Sequence, residues 1–395
     1  MNGYNLTTIV WGENFVDNFI DFIIPSLLTE GNIPYLNTKT KIFYQIFTND
    51  ESINKINNSK NFKELLKYCN VFFDTTSIEK IKKEGKKDKY EITNICLSKS
   101  IKIANTYSNP WVRVQPDCLQ AKNNFLTLHS LIKKNYRVIF YPMGLKVSKK
   151  ILIELDANYR KGNTLDIENT DLVYLSMKYA VKKEEYKIFN NYRPKNFQQC
   201  ILWTLGDRGY LERAINAGEL ICINPTNKNI DYKFKSISIE ASDYLDEAVP
   251  NYQDWIFIRN SNDFVTCGIE EGVEEGNQKF LKKKIKSMFL NKPSKFALAL
   301  ANNNMNHSKM LKNSFLNYPI RYSSSRNDKI EDKEWIKIEK KTRFYAAQVI
   351  LITKILSSFP VINKFVKWYI NINVKFYEKL KHSKRFSKYF NDYEC

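Results

Sequence analysis

The feature that most constrains this chain is the order of elements in its first fifty residues. A strand-like run from Leu6 to Val10 breaks at Trp11-Gly12-Glu13, and an amphipathic helix then carries Phe15, Phe19, Phe22, Ile23 and Ser26. After Pro25-Ser26-Leu27-Leu28 and the turn Glu30-Gly31-Asn32-Ile33-Pro34, a second strand runs from Lys41 to Thr48 and stops at Asn49-Asp50. A strand–loop–helix–strand unit builds a parallel sheet and sets its first loop at the carboxyl edge, where α/β proteins bind ligands. The opening unit therefore predicts an enzyme for a nucleotide-like or other anionic small molecule.

The alternation continues. Helical spacing at 61–68 precedes a short apolar strand at 70–73, and helical character returns at 94–106. A strand at 111–114 ends in Gln115-Pro116-Asp117, a helix spans 123–134, and a strand at 136–141 is closed by Pro142-Met143-Gly144. Strands and helices in turn predict a mostly parallel central sheet covered by helices on both faces. Further on, Gly206-Asp207-Arg208-Gly209 reads as a turn, 220–223 and 255–259 as strands, and the alternating Ser-Ile-Ser-Ile near 236–239 as a half-buried strand.

With 395 residues and 43% hydrophobic content, the chain can bury a large core. Its formal charge of +20 favours anionic partners, although abundant Lys, Asn and Ile are also what an AT-rich genome would give. Seven scattered cysteines without a C-x-x-C pair argue against a zinc site or a disulfide framework and suit a reducing interior. No signal peptide and no membrane-spanning helix are predicted. The absence of Walker, G-x-G-x-x-G, G-x-S-x-G and H-E-x-x-H patterns removes support from kinase, dehydrogenase, hydrolase and zincin readings.

The C-terminal stretch is distinctive. Residues 341–390 hold eleven Lys or Arg and one acid, Glu378, interleaved with aromatics such as Phe359, Trp368, Tyr369 and Phe376. Apolar rings beside lysines suit a helix lying in an anionic headgroup layer, and they also suit a helical hairpin packed on the domain. The organisation expected is a domain at 1–280, a helical connector at 281–340 and a basic aromatic helical extension at 341–395.

The blocks Trp11-Gly12-Glu13, Pro25-Ser26-Leu27-Leu28 and Gly31-Asn32-Ile33-Pro34 together resemble a family of bacterial GT-A-like glycosyltransferases associated with surface polysaccharide synthesis. Pro116-Asp117, Arg137 to Leu145, the Leu202-Trp203 to Arg213 block and Ser261-Asn262-Asp263-Phe264 follow in the family's order, so the resemblance covers roughly residues 6–275. It implies a GT-A-like, Rossmann-like core and transfer of a sugar from a nucleotide-sugar donor to a glycan or lipid-linked acceptor at the inner membrane face. The scattered cysteines and the basic aromatic tail add the expectation of a cytoplasmic, peripheral membrane location. Where the family has a histidine–proline pair, this chain reads Ala214-Ile215-Asn216, and its acidic cluster is reduced to Asp263 beside Asn262. These departures keep a non-catalytic assembly subunit as an alternative, and the basic tail keeps a nucleic-acid-binding protein as another.

Candidate site residues follow from strand ends and charge. Gly12 lets a ligand approach the backbone, Trp11 can stack on a ring, and Glu13, Thr48 and Asp50 lie on the same edge. Asp117 is the candidate ligand for Mg2+ or Mn2+, with a turn or N-cap role as the alternative. Arg208 and Arg213 could clamp a phosphate. For the general base that activates an acceptor hydroxyl, Asp263 comes first, then Glu240 or Asp243. Of the three histidines, His129 reads as structural, His307 as a loop residue and His382 as part of the tail.

Overall fold

The computed structural model describes residues 3–76, 78, 89–188, 200–214, 219–227, 244–276, 278, 280–281, 314–324 and 330–358. Glu240, Asp243, the 236–239 strand, His307, His382 and the tail beyond 358 lie outside the described residues. The chain divides into two compact units, Met1–Met288 with Asn306–Lys340, and Phe289–Met305 with Lys341–Cys395.

The first unit is built on a seven-stranded sheet. Its strands are β1 (Gly3–Ile9), β2 (Lys41–Phe47), β3 (Asn70–Asp74), β4 (Trp111–Arg113), β6 (Val138–Tyr141), β12 (Glu219–Ile223) and β13 (Trp255–Phe257), ordered β13-β6-β12-β4-β1-β2-β3. All pair in parallel except β12, which runs antiparallel to both β4 and β6. Helices cover both faces, giving the mostly parallel, Rossmann-type α/β core that the sequence predicts. The faces separate by strand alternation. Val112, Ile139 and Tyr141 join the larger core with Phe19, Ile23, Leu36 and Phe125. Trp111, Val138 and Phe140 join Leu97, Ile101 and Leu245 on the opposite side.

Two small sheets sit beside the large one. One holds β5 (Cys118–Gln120), β14 (Thr266–Glu270) and β7 (Val147–Ser148); the other holds β10 (Cys200–Thr204), β11 (Gly209–Ala214) and β15 (Ile320–Ser323). A two-residue-per-strand hairpin joins β8 (Arg160–Lys161) to β9 (Thr164–Leu165). The turn expected at 30–34 is tighter and continues into a short helix, Ile33–Asn37, with Pro34 in its first turn.

The helix after β1 is not uniform. It runs α-helical over Glu13–Asn18, widens to a π turn over Phe19–Ile23 and resumes over Ile24–Leu27. Pro25 lacks an N–H, so the Asp21 carbonyl loses its ordinary helical donor. Arg160 Nη2 supplies one at 2.6 Å, while Asn61 Nδ2 donates to the Ile20 carbonyl at 3.1 Å.

Past Pro25, a knot of buried polar groups ties this helix to β5. The Ser26 hydroxyl donates to the Ile23 carbonyl and accepts from the Gln120 N–H. Asn32 is fully buried; its amide donates to the Ser26 and Ala121 carbonyls, and its oxygen accepts from the Phe125 N–H. Asn124, also fully buried, bonds both the N–H and the carbonyl of Val265 and so joins the strand that leads into β14. Gly31 completes the knot at φ +83°, where an added Cβ would fall 2.1 Å from Asn123 Oδ1.

The helix Asp332–Ser358 begins in the first unit and continues into the second. In the second unit Thr342, Tyr345, Ala346 and Val349 are buried along one stripe, while Phe344 and Leu351 stay 63% and 60% exposed. No helix among the described residues is long and apolar enough to cross a membrane.

Removing the knot has a measurable consequence. Asn32→Ala strips donors from two buried carbonyls and an acceptor from a buried N–H, and Gly31→Ala forces the chain away from Asn123. Each is expected to lower the unfolding free energy by about 2–4 kcal/mol in urea titrations followed by circular dichroism. A loss below about 0.5 kcal/mol would show that the knot is dispensable.

Candidate functional site

The carboxyl edge of the seven-stranded sheet collects the ends of β1, β2, β4 and β6 together with the start of antiparallel β12. Register fixes their neighbourhood: Thr7 lies opposite Arg113, Ile9 opposite Phe47, and Glu219 opposite Tyr141. The chain leaving β4 passes through Gln115-Pro116-Asp117 and turns into β5.

Asp117 is the centre of a polar cluster. Burial pushes its carboxyl above the usual carboxylate range, and the charges of Lys146 and Arg113 pull against that shift. The Asp117 carbonyl accepts from the Ile269 N–H at 2.7 Å, so the residue is fixed to the strand opposite. Beside it, the Cys118 thiol donates to Gln115 Oε1 at 3.0 Å. Lys146 and Cys118 both flank Gly268; a Cβ there would lie 3.6 Å from Lys146 Cγ and 3.7 Å from Cys118 Sγ, in ordinary contact with both. The fields of Glu219 and Arg113 both reach Tyr141, and Glu219 also acts on Cys118. Arg113, Asp117, Lys146 and Glu219 thus share one edge, a set of two cations and two carboxylates.

The loop after β1 borders this edge. Trp11 is partly buried and packs with Ile9 against Phe47, Ile92 and Cys96. Gly12 has φ +87° and is exposed, with nothing within 4 Å of the position a Cβ would take. Thr48 is fully buried at the end of β2; its N–H donates to the Asp74 carbonyl, and its hydroxyl has no hydrogen-bond partner in the described structure. Glu13 is exposed, 4.0 Å from Lys55, whose ammonium also pairs with Asp17. Asp50 is exposed and opens the helix Asp50–Asn58, where a carboxylate favours the N-terminal dipole.

Other candidates lie apart from that edge. Arg208 forms a fork with Glu334 at 2.9 and 2.7 Å. Arg213 is 1% exposed and donates to the Leu316 and Glu339 carbonyls. Both arginines, on or next to β11, hold the first turns of the helix that starts at Asp332. Asp263 is exposed; its carbonyl accepts from the Thr127 hydroxyl at 2.8 Å. Because Thr266 pairs with Gln120 and Gly268 with Cys118, Asp263 and Asp117 fall at opposite ends of the β5–β14 ladder. His129 is a core residue whose Nδ1 lies 2.8 Å from the Tyr4 hydroxyl.

Sequence reading missed Arg113, Lys146 and Glu219. The available signal was a charged residue at the end, or the start, of an otherwise apolar strand. As a cation site, Asp117 brings one carboxylate, and no group of three or more His, Cys, Asp or Glu among the described residues is placed to hold a metal ion. A single carboxylate suits Mg2+ or Mn2+ where substrate phosphates and water supply the remaining ligands.

No family model matches the chain, and no curated protein matches it significantly. Among solved structures it is similar to S. aureus TarS, with 9% identity over 37% of this chain and 22% of that one, at a TM-score of 0.24. It is also similar to mouse xyloside xylosyltransferase 1 in its apo form, with 11% identity over 37% of this chain and 52% of that one, at 0.23. The chain thus spans about a fifth of the first and about half of the second. Likeness at this level has no bearing on activity.

The upward shift at Asp117 has a defined pH signature. The folded state keeps the proton above the unfolded carboxylate range, so stability is full below that range and falls as pH rises through the folded value. Asp117→Asn is expected to remove this fall and to be at least as stable as the parent at neutral pH, by thermal unfolding across pH 3–8, roughly the carboxylate-to-neutral range. A steeper decline in the variant would place the burial cost elsewhere.

Proposed function

We propose that the chain is a glycosyltransferase that moves a sugar from a nucleotide-activated donor to a glycan or lipid-linked acceptor. The observation that carries this reading is the Arg113–Asp117–Lys146–Glu219 cluster at the carboxyl edge, beside the open backbone at Gly12. When a glycosidic bond to a nucleoside diphosphate breaks, negative charge grows on the leaving diphosphate. Fixed cations in a partly dry site stabilise that charge more than they stabilise the ground state. Arg113 and Lys146 take this role. Asp117 keeps them oriented and is the carboxylate that would hold Mg2+ or Mn2+, which when bound adds Lewis-acid stabilisation of the same oxygens.

Around the donor, Trp11 offers a ring face, Gly12 offers backbone access, and Glu13 and Asp50 offer polar contacts to the nucleoside; Thr48, fully buried, supports the strand end behind them. Removing a proton from the acceptor hydroxyl needs a carboxylate on the far side of the sugar. Glu219, across from Tyr141, is the carboxylate that the edge itself brings to this role; of the bases proposed from sequence, Asp263 lies apart from the edge and Glu240 and Asp243 lie outside the described residues. Arg208 and Arg213 are taken up on this reading by the helix that starts at Asp332 and by the Leu316 carbonyl, and not by the donor.

The decisive measurement is calorimetric titration with a panel of nucleoside diphosphates and their sugar derivatives. Lys146→Ala and Arg113→Ala are each expected to weaken diphosphate binding about 10- to 100-fold, the range for one charge-assisted hydrogen bond. Unchanged affinity in both variants would remove the cluster from the donor site. Binding that persists without any sugar transfer, in the parent and in Glu219→Ala and Asp263→Ala alike, would favour the non-catalytic assembly subunit.

The second unit supports a peripheral, inner-face location. Phe344 and Leu351 project from a helix that also exposes Lys341 and Arg343, and the sequence beyond it stays basic and aromatic. In co-sedimentation with anionic vesicles, the full-length Phe344→Ser/Leu351→Ser double variant is expected to bind about tenfold or more weakly, given ~1.5–3 kcal/mol per buried large side chain. Equal binding to neutral and anionic vesicles would argue against this surface, and salt-sensitive binding to nucleic acid in its place would favour the third reading.

A further inference from the structure

We propose that Glu212 is held as a neutral carboxylic acid at neutral pH, and that through Tyr322 it positions the Pro142–Lys146 segment of the carboxyl edge. Tyr322, fully buried on β15, has its hydroxyl 2.8 Å from the Met143 carbonyl and 2.9 Å from Glu212 Oε2. A phenol has one hydrogen to donate, and a carbonyl can only accept. If that hydrogen went to Glu212, the Met143 carbonyl would face the tyrosine oxygen at 2.8 Å with no proton between them, in a site without water access to the ring. Both contacts are satisfied together only when Glu212 brings its own proton. It then donates to Tyr322, which donates to Met143.

The surroundings agree. Glu212 lies on β11 between β10 and β15, facing Cys200 from β10, Tyr322 from β15, Tyr210 from its own strand, and Lys187 and Glu184 from the segment after Val181. Lys187 is already paired with Glu184, which is 2% exposed, at 2.7 Å. That pair is neutral by itself, so an ionised Glu212, half-buried beside the buried Cys200 and Tyr322, would leave the described cluster with a net negative charge. Burial drives the Glu212 carboxyl above its ordinary range, with Glu184 pushing the same way, in spite of the attraction of Lys187 and the hydrogen-bond contacts with Tyr322 and Cys200.

The link reaches the candidate site through a short path. Met143 bridges to Thr266, the Gly144 N–H donates to the Thr266 carbonyl, and Lys146 follows two residues later beside Cys118. Glu212 is therefore a positioning residue that acts through Tyr322 on the segment bearing Lys146. Its importance for catalysis rests on the glycosyltransferase reading; its protonation and its hold on the segment do not.

Two measurements on the full chain test this without any donor sugar. Infrared difference spectra of the parent minus Glu212→Gln at neutral pH should show the carbonyl stretch of a protonated acid, replaced by carboxylate bands as pH rises. Carboxylate bands alone at neutral pH would overturn the protonation. Hydrogen exchange should find the Met143–Val147 amides as protected in Glu212→Gln as in the parent, because the Gln amide can also donate to Tyr322. In Tyr322→Phe they should exchange roughly five- to tenfold faster, the loss of one hydrogen bond. Unchanged exchange in Tyr322→Phe, or equally fast exchange in Glu212→Gln, would overturn the positioning role. Should Tyr322→Phe fail to fold, raising the pH of the parent gives the same uncoupling. Loss of protection at Met143–Val147, after correction for intrinsic rates, must then track the carboxylate bands, and protection that ignores them sinks the proposal.

Discussion

The buried hydrogen bonds of Ser26, Asn32 and Asn124 are the constraint from which the rest of this structure follows. A sheet can place strand ends only to within the freedom of the loops that leave it. Here the loop leaving β4 is captured at once, because β5 is bonded by Ser26 from one side and by β14 from the other. Polar groups buried this completely are costly when unpaired and directional when paired, so they select one register where apolar packing would tolerate several. The Asp117 turn inherits its position from that selection.

This gives a physical meaning to the motif blocks near the N-terminus. Pro25-Ser26 and Gly31-Asn32 look like ligand-binding punctuation, but their side chains point into the protein and none of them lines the carboxyl edge. Pro25 removes a backbone donor, and Arg160 repairs the loss from the β8–β9 hairpin. Gly31 lets Asn123 approach. The same residues that suggest a sugar-binding family act in this chain as the mounting on which the candidate site is held.

Charge is divided in a way the bulk composition hides. A surplus of 20 positive charges suggests anionic partners everywhere, yet several arginines are spent inside the first unit. Arg208, Arg213 and Arg321 hold the helix that begins at Asp332, with Arg321 bonding Glu339 and lying over the Trp335 ring. Lys146 and Arg113 differ from them: their field falls on the half-buried carboxyl of Asp117 at the sheet edge, the arrangement suited to a polyanionic ligand.

Period-two and helical patterning determined the α/β class, the order of β1, β2, β3, β4 and β6, and the loop positions of Trp11, Gly12 and Asp117, because those features depend on local burial and turn chemistry. Tertiary structure decided the direction of β12, the existence of β5, β14 and β15, and the partners of every charged group. A three-residue strand such as β5 carries too little periodicity to be read, and an antiparallel insertion has the same alternation as a parallel one. Arg213 shows the difference most plainly. In sequence, an arginine beside glycines suits a phosphate as well as it suits a carbonyl. Only the tertiary structure supplies the Leu316 and Glu339 oxygens that claim it, from two separate helices, while Lys146, in the loop just before β7, is brought towards Asp117 by the small sheet in which Gly268 of β14 lies between it and Cys118.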